Sequence, residues 1–225
     1  MSEHPSVGAC YLCNEVFKKA AMTRHLAKCA GPAVPPDRTT AVEARIGPSF
    51  HLLVEGRYAT TYWMHLAVPA AATLTSLDQF LRDIWLECCG HLSSFAIGGN
   101  RYSCSPMAEY GEKRMNVRLD RVLEAGLKFS YEYDFGSTTE LQLKVIGLRE
   151  RGTPDGKVQL LARNEEPEVM CQACKQQLAT QICVECDCRG KGWLCEACAA
   201  DHECGEETML PVVNSPRAGV CGYCG

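Results

Sequence analysis

The chain has 225 residues, 46% of them apolar and 22% charged, with a net charge of −4. That length and apolar content suit one medium globular domain with small modules and exclude a disordered chain. No apolar run approaches the ~20 residues that span a bilayer, so no membrane partner is expected, and the acidic balance gives no general push toward nucleic acid. The opening MSEHPSVGAC has no apolar leader, which predicts a reducing, cytoplasmic setting. There, sixteen cysteines read as metal-bound thiolates rather than a disulfide framework. Charge is uneven: residues 1–40 carry a net +2, residues 41–163 are neutral and residues 164–225 carry −6.

The first segment, 1–30, holds Cys10-x2-Cys13-x3-Phe17-x4-Met22-x2-His25-x3-Cys29. His25 and Cys29 are i and i+4, so they share one helix face and can grip the ion held by the Cys10–Cys13 knuckle. The pattern resembles a small ββα zinc finger of the CCHC kind, with Phe17 and Met22 at its two core apolar positions. Some twenty residues bury too little to fold alone, so metal binding would supply the folding energy. Lys18, Lys19, Arg24 and Lys28 give the finger a basic face, which leaves nucleic acid open as a partner there. The finger also resembles CCHC ubiquitin-binding fingers, but where those carry an acidic residue two after the His, this chain has Ala27.

Residues 31–42 form a linker whose Pro32, Pro35 and Pro36 favour an extended spacer. From 43 to 163 the pattern is mixed. Phe50–Glu55 and Thr60–Val68 read as strands. Ser76 with Gln79 makes a capping box, and Leu77, Phe80, Leu81, Ile84, Trp85 and Cys88 follow the spacing of the buried face of a long helix. Ser93–Ile97 and Arg101–Ser105 form a hairpin about Gly98-Gly99-Asn100. Asn116 caps a short helix stopped by Gly126. Leu127–Phe135 and Glu140–Leu148 form a second hairpin, and Val158–Ala162 is a last strand. The fold class is α+β, an antiparallel sheet with a long helix packed on it.

The motifs YEYDFG at 131–136 and HLSSFAIGG at 91–99 make residues 44–163 resemble the plasmid ORF-three-like family, named for an open reading frame of an Agrobacterium root-inducing plasmid. The resemblance implies a mobile-element or plasmid connection, since relatives are encoded in insertion sequences. In that family DFG is followed by an Asp, a Trp and a His at alternating positions. Here Ser137, Thr139 and Leu141 stand there, so of a polar site only Asp134 would be retained. The enzyme candidates are His51, His65, His91, Glu132, Asp134 and the vicinal Cys88-Cys89. His65 lies in an apolar strand and reads as a core histidine. Cys88 falls on the buried helix face, where free cysteine is commonly inert. Glu132 and Asp134 share a sheet face by period two and read as solvated. With no nucleotide loop, Ser elbow or carboxylate pair, no catalytic residue is assigned and the reading leans away from an enzyme.

The last segment, 164–225, carries Cys171-x2-Cys174, Cys183-x2-Cys186, Cys195-x2-Cys198, His202-x-Cys204 and Cys221-x2-Cys224. Zinc takes four S or N ligands in a tetrahedron, so knuckles are used in pairs. The segment resembles cross-brace domains of the B-box and RING type. That resemblance implies one metal on Cys171, Cys174, Cys195 and Cys198. It implies a second on Cys183, Cys186, His202 and a fourth ligand. Cys204 is the first choice for the fourth ligand, with Cys221 and Cys188 as rivals, and sequential pairing stays open. Counting the finger, the cofactor is zinc, about three ions. The function expected is a non-enzymatic interaction or adaptor protein with a macromolecular partner, a protein for the acidic tail. The alternative is a nucleic-acid-binding protein assisting transposition or recombination.

Overall fold

The computed structural model describes residues 6–29 and 47–225. The linker reading at 31–42 lies outside the described residues. By proximity the chain divides into two compact units. One joins residues up to Leu81 with Leu92–Glu165, and the other joins Arg82–His91 with Glu166–Gly225.

In the first unit, ten strands among the described residues form one sheet in the order β2-β1-β10-β4-β3-β9-β8-β5-β6-β7. They are β1 Val7–Cys10, β2 Val16–Lys18, β3 Ser49–Gly56, β4 Trp63–Pro69, β5 Ser93–Ile97, β6 Asn100–Ser103, β7 Lys113–Arg114, β8 Lys128–Tyr133, β9 Thr139–Arg149 and β10 Gln159–Asn164. All neighbours run antiparallel except β6 and β7. Every residue of β4 is buried, which explains why Trp, Met, Leu, Ala and Val follow one another around a single His65: a strand covered on both faces has no reason to alternate. β8 does alternate, burying Phe129, Tyr131 and Tyr133.

The finger is part of this sheet. β1 pairs with β10, Gly8 opposite Asn164 and Cys10 opposite Ala162. α1 (Lys19–Leu26) sends Met22 and Leu26 into a cluster with Trp63, Ala67, Leu161 and Ala162. The ββα unit therefore shares its apolar core with the sheet. Gly8 is required at the seam, because a Cβ there would lie 2.2 Å from the carbonyl oxygen of Arg163 and 2.6 Å from the Trp63 ring.

The long helix is not found. α2 is eight residues, Leu74–Leu81, followed by a π-helical turn Arg82–Leu86. The helix also starts before the expected capping box, with Thr73 Oγ1 accepting the Ser76 N–H at 3.2 Å. Widening to the π form rotates the face out of the 3.6 period, so the apolar series continues in sequence while the α-helix ends. Leu74, Leu77 and Leu81 are buried, and so is Asp78. Asp78 is paired: its carboxylate accepts the Ser93 hydroxyl at 2.6 Å and the Tyr131 hydroxyl at 2.7 Å, which pins α2 to β5 and β8. The short helix expected after Asn116 is a single 3-10 turn, Leu119–Arg121.

Two histidines sit inside the sheet. His51 and His65 are buried and joined Nε2 to Nδ1 at 2.9 Å. Burial lowers His51 to about 4, with the Arg149 charge adding to it, and lowers His65 to about 3, with His51 adding to it. Both are neutral in the fold at pH 7.

Two predictions concern this unit. Gly8→Ala should destabilise it by about 1–3 kcal/mol, as overpacking against fixed backbone does, read as a lower denaturation midpoint. The second concerns acid. The unfolded chain protonates these histidines near pH 6.5 and the folded chain only near 4 and 3. Stability is therefore full above pH 6.5 and falls as pH drops toward 4. His51→Gln or His65→Gln should flatten that part of the stability–pH curve, measured by denaturant titration.

Candidate metal centres

Among the described residues, four groups of side chains, each with ligand atoms mutually within 4.8 Å, are able to hold a metal ion: Cys10, Cys13, His25 and Cys29; Cys171, Cys174, Cys195 and Cys198; Cys183, Cys186, His202 and Cys204; and Cys88, Cys89, His91 and Cys221. With Zn–S near 2.3 Å, a tetrahedron places its sulfurs about 3.8 Å apart. The separations are close to that: Cys10 to Cys29 is 4.0 Å, Cys174 to Cys195 is 3.8 Å and Cys186 to Cys204 is 3.9 Å.

Local backbone builds each group. In the finger, Asn14 turns left-handed with φ 63° and its N–H returns to the Cys10 carbonyl at 2.7 Å. The same turn recurs in the tail, where Lys175 has φ 57° and its N–H returns to the Cys171 carbonyl at 3.0 Å. Each turn folds a knuckle so that two thiols face one point. His25 stacks on Phe17, ring centroids 4.2 Å apart, and its Nε2 lies 3.3 Å from Cys13 Sγ. Of the basic face, Lys18, Arg24 and Lys28 are exposed, while Lys19 is engaged by Glu55 at 2.5 Å.

In the second unit a three-stranded sheet, β12-β11-β13, carries the tail, with β11 Gln181–Cys183, β12 Trp193–Leu194 and β13 Met209–Pro211. Two short helices, α3 Val184–Asp187 and α4 Glu196–Ala200, follow the first cysteine of a knuckle and carry the second, Cys186 and Cys198. The interior here is largely sulfur: Cys171, Cys183 and Cys195 are buried with Leu194, and Cys174, Cys186, Cys198 and Cys204 pack against them. The buried Nε2 of His202 has no hydrogen-bond partner, a costly state for a ring nitrogen that coordination of the imidazole would relieve.

The thiols divide into leaders and followers. Burial raises Cys171, but N–H donors of Cys174, Cys195 and Ala173 outweigh it and bring it to about 6. Burial raises Cys183 too, outweighed chiefly by the Thr208 hydroxyl and the Cys186 N–H, again to about 6. Hydrogen bonds with Cys195 and Cys171 push Cys198 up to about 12, and those with Cys183 and Cys186 push Cys204 up to about 11. In the finger, burial pushes Cys10 up to about 11. Each group thus holds protons that a metal must displace.

Sequence reasoning missed one group. Cys221, expected as a rival fourth ligand in the tail, lies 3.2 Å from His91 Nε2, away from the Cys183 group. Cys88 is half-buried and sits beyond the π turn rather than on a buried helix face. Only the pair CysCys-x-His at 88–91 signalled it. Cys188 and Cys224 are exposed and outside all four groups.

The polar candidates of the sheet have packing roles. Asp134 is buried with φ 64° and accepts the N–H groups of Gly136 and Ser137 at 3.0 and 3.2 Å. It shapes the turn after β8 and is not on a solvated face. Glu132 pairs with Arg101 at 2.9 Å. No helix among the described residues is long and apolar enough to cross a membrane.

Fold and sites together define an α+β protein dominated by one large antiparallel sheet and carrying closed Cys/His groups. The chain belongs to the plasmid pRiA4b ORF-3-like protein family, whose model matches residues 55–169, just over half of the chain. The Cys10 group and both tail groups lie outside the matched residues, whereas Cys88, Cys89 and His91 lie inside. A search of curated proteins finds no match. Among solved structures, a protein of unknown function, MM3350, from Methanosarcina mazei Go1 is 15% identical, with a TM-score of 0.43. The similarity covers 48% of this chain and 64% of that one.

Loading these groups with a divalent metal should release protons at neutral pH, because Cys198, Cys204 and Cys10 hold theirs to about 12, 11 and 11. Apparent affinity should therefore fall as pH falls. Indicator-dye titration of the metal-free, reduced protein with zinc measures both effects.

Proposed function

We propose that the protein is a zinc-built, non-enzymatic interaction protein. In this reading a CCHC finger holds one ion on Cys10, Cys13, His25 and Cys29. A cross-brace tail holds two, on Cys171, Cys174, Cys195 and Cys198 and on Cys183, Cys186, His202 and Cys204. The observation that supports it is the closure of these groups. Four protein ligands per site is the pattern of structural zinc, whereas catalytic zinc keeps a position open for water or substrate. The metal would supply the cohesion that the sulfur-rich tail lacks in apolar side chains. The tail's net charge of −6 over residues 164–225 suits a protein partner better than a phosphate backbone.

One feature favours a second reading, nucleic-acid binding in support of mobile-element transposition or recombination. A groove of ≈ 390 Å³ beside α1 is lined by Lys19, Lys128 and Lys144 with Glu55 and Gln142.

Salt-dependent DNA binding separates the two. The adaptor reading expects little binding at moderate salt. Affinity falling steeply and linearly with the logarithm of salt concentration would establish the second reading instead. Zinc content tests the structural premise. Cys195→Ser should lose one ion per chain and loosen the tail in hydrogen exchange, while Cys188→Ser should retain the full complement. Metal content unchanged in Cys195→Ser would overturn the cross-brace assignment.

A further inference from the structure

We propose that Cys88, Cys89, His91 and Cys221 form an additional tetrahedral metal site, outside the finger and the cross-brace, that ties the C-terminal segment to the turn after α2. All four residues belong to the second unit. Cys88 and Cys89 Sγ are 3.7 Å apart, Cys89 Sγ is 3.0 Å from His91 Nε2, and His91 Nε2 is 3.2 Å from Cys221 Sγ. The sulfur spacing is that of a zinc tetrahedron, and the S–N spacings are somewhat tighter than the roughly 3.6 Å that Zn–S and Zn–N bonds imply. The donor set, three sulfurs and one imidazole, matches that of the finger and of the Cys183 group, and suits zinc or another borderline-soft divalent ion.

The site is built from both sides. On the turn, Gly90 has φ 79°, a left-handed step that swings His91 back toward Cys89. Its N–H donates to Glu87 Oε1 at 2.6 Å. Arg82 clamps the same loop, donating to Glu87 Oε2 at 2.8 Å and to the His91 carbonyl at 2.7 Å. On the tail, Ser215 is buried and donates to the Trp85 carbonyl at 2.6 Å. Its hydroxyl accepts the Arg217 N–H at 2.9 Å. Successive turns through Val220 then deliver Cys221, itself at φ 51°. A left-handed non-glycine residue is strained and is commonly retained where it aims a ligand.

Charge supports the assignment. Three thiolates, a neutral imidazole and a dication sum to −1. Arg217, fully buried, donates from Nη2 to Cys88 Sγ at 3.5 Å. A guanidinium within reach of a metal-bound thiolate offsets part of that negative charge. The site is also more open than the tail groups: Cys89 and Cys221 are exposed, whereas each cross-brace group has at least one fully buried sulfur. Its ion should therefore be the first to leave under a chelator.

The test uses full-length, reduced, zinc-loaded protein. Native mass spectrometry should find four ions per chain, one per group, and three in Cys221→Ser, while Cys224→Ser keeps four. This difference does not depend on whether the other groups bind as proposed, so the two readings fail separately. Alkylation of the unmutated protein gives a second measurement free of any folding defect. Cys221 and Cys89 should be protected when zinc is present and labelled after brief chelation, while the exposed Cys188 and Cys224 label throughout. Equal ion counts in the unmutated protein and Cys221→Ser would overturn the proposal. So would Cys221 labelling as fast as Cys224 in the loaded protein.

Discussion

Convergence of sulfur and imidazole donors is the constraint on which both ends of this protein depend. In the tail the buried side chains around β11 and β12 are mainly cysteines, with Leu194 among them. Neutral thiols pack as small hydrophobes, but three short strands and two helices of four and five residues enclose too little apolar surface to hold one arrangement. A shared metal ion would change that balance, because it would bind only the folded arrangement of ligands. The finger solves the same problem differently. Its donors converge equally well, yet Met22 and Leu26 also reach the core of the large sheet through Trp63 and Leu161.

Within the large sheet, burial and pairing go together. β4 is buried along its whole length, and the polar groups within the sheet are paired by their neighbours. His51 and His65 satisfy each other, Asp78 takes two hydroxyls and Asp134 takes two backbone N–H groups. A buried polar group paired in this way specifies register and turn geometry rather than reactivity. The reactive side chains are gathered instead in the Cys/His groups, which occupy the finger, the tail and the turn at 88–91.

Within the family-matched span, the turn at 88–91 departs most from what local patterning suggests. An apolar series of helical spacing runs through Trp85 to Cys88, yet the backbone widens to a π turn at Arg82 and the α-helix stops at Leu81. The widened turn frees Cys88 and Cys89 from the helix face, and the Arg82–Glu87 pair fixes the loop that follows. π segments recur where a side chain must be re-aimed.

The sequence by itself determined what depends on near neighbours. Knuckle spacing marked Cys10, Cys13, His25 and Cys29 and the individual cysteine pairs of the tail, because two donors three or four residues apart meet through local turns, whereas the pairing of knuckles across 171–204 was only what the cross-brace resemblance implied. Period-two alternation located the β8–β9 hairpin for the same reason. Three features were decided only by tertiary structure. β1 joins β10 across the chain. The helix after Thr73 ends at Leu81 and gives way to a π turn. Cys221 meets His91 across 130 residues. Contacts at that separation are set by how the intervening chain packs, and no spacing rule records them. Cys221 and Cys204 carry the same chemistry in the sequence, and only the folded path of residues 205–221 sends one to the turn at 88–91 and leaves the other beside Cys186.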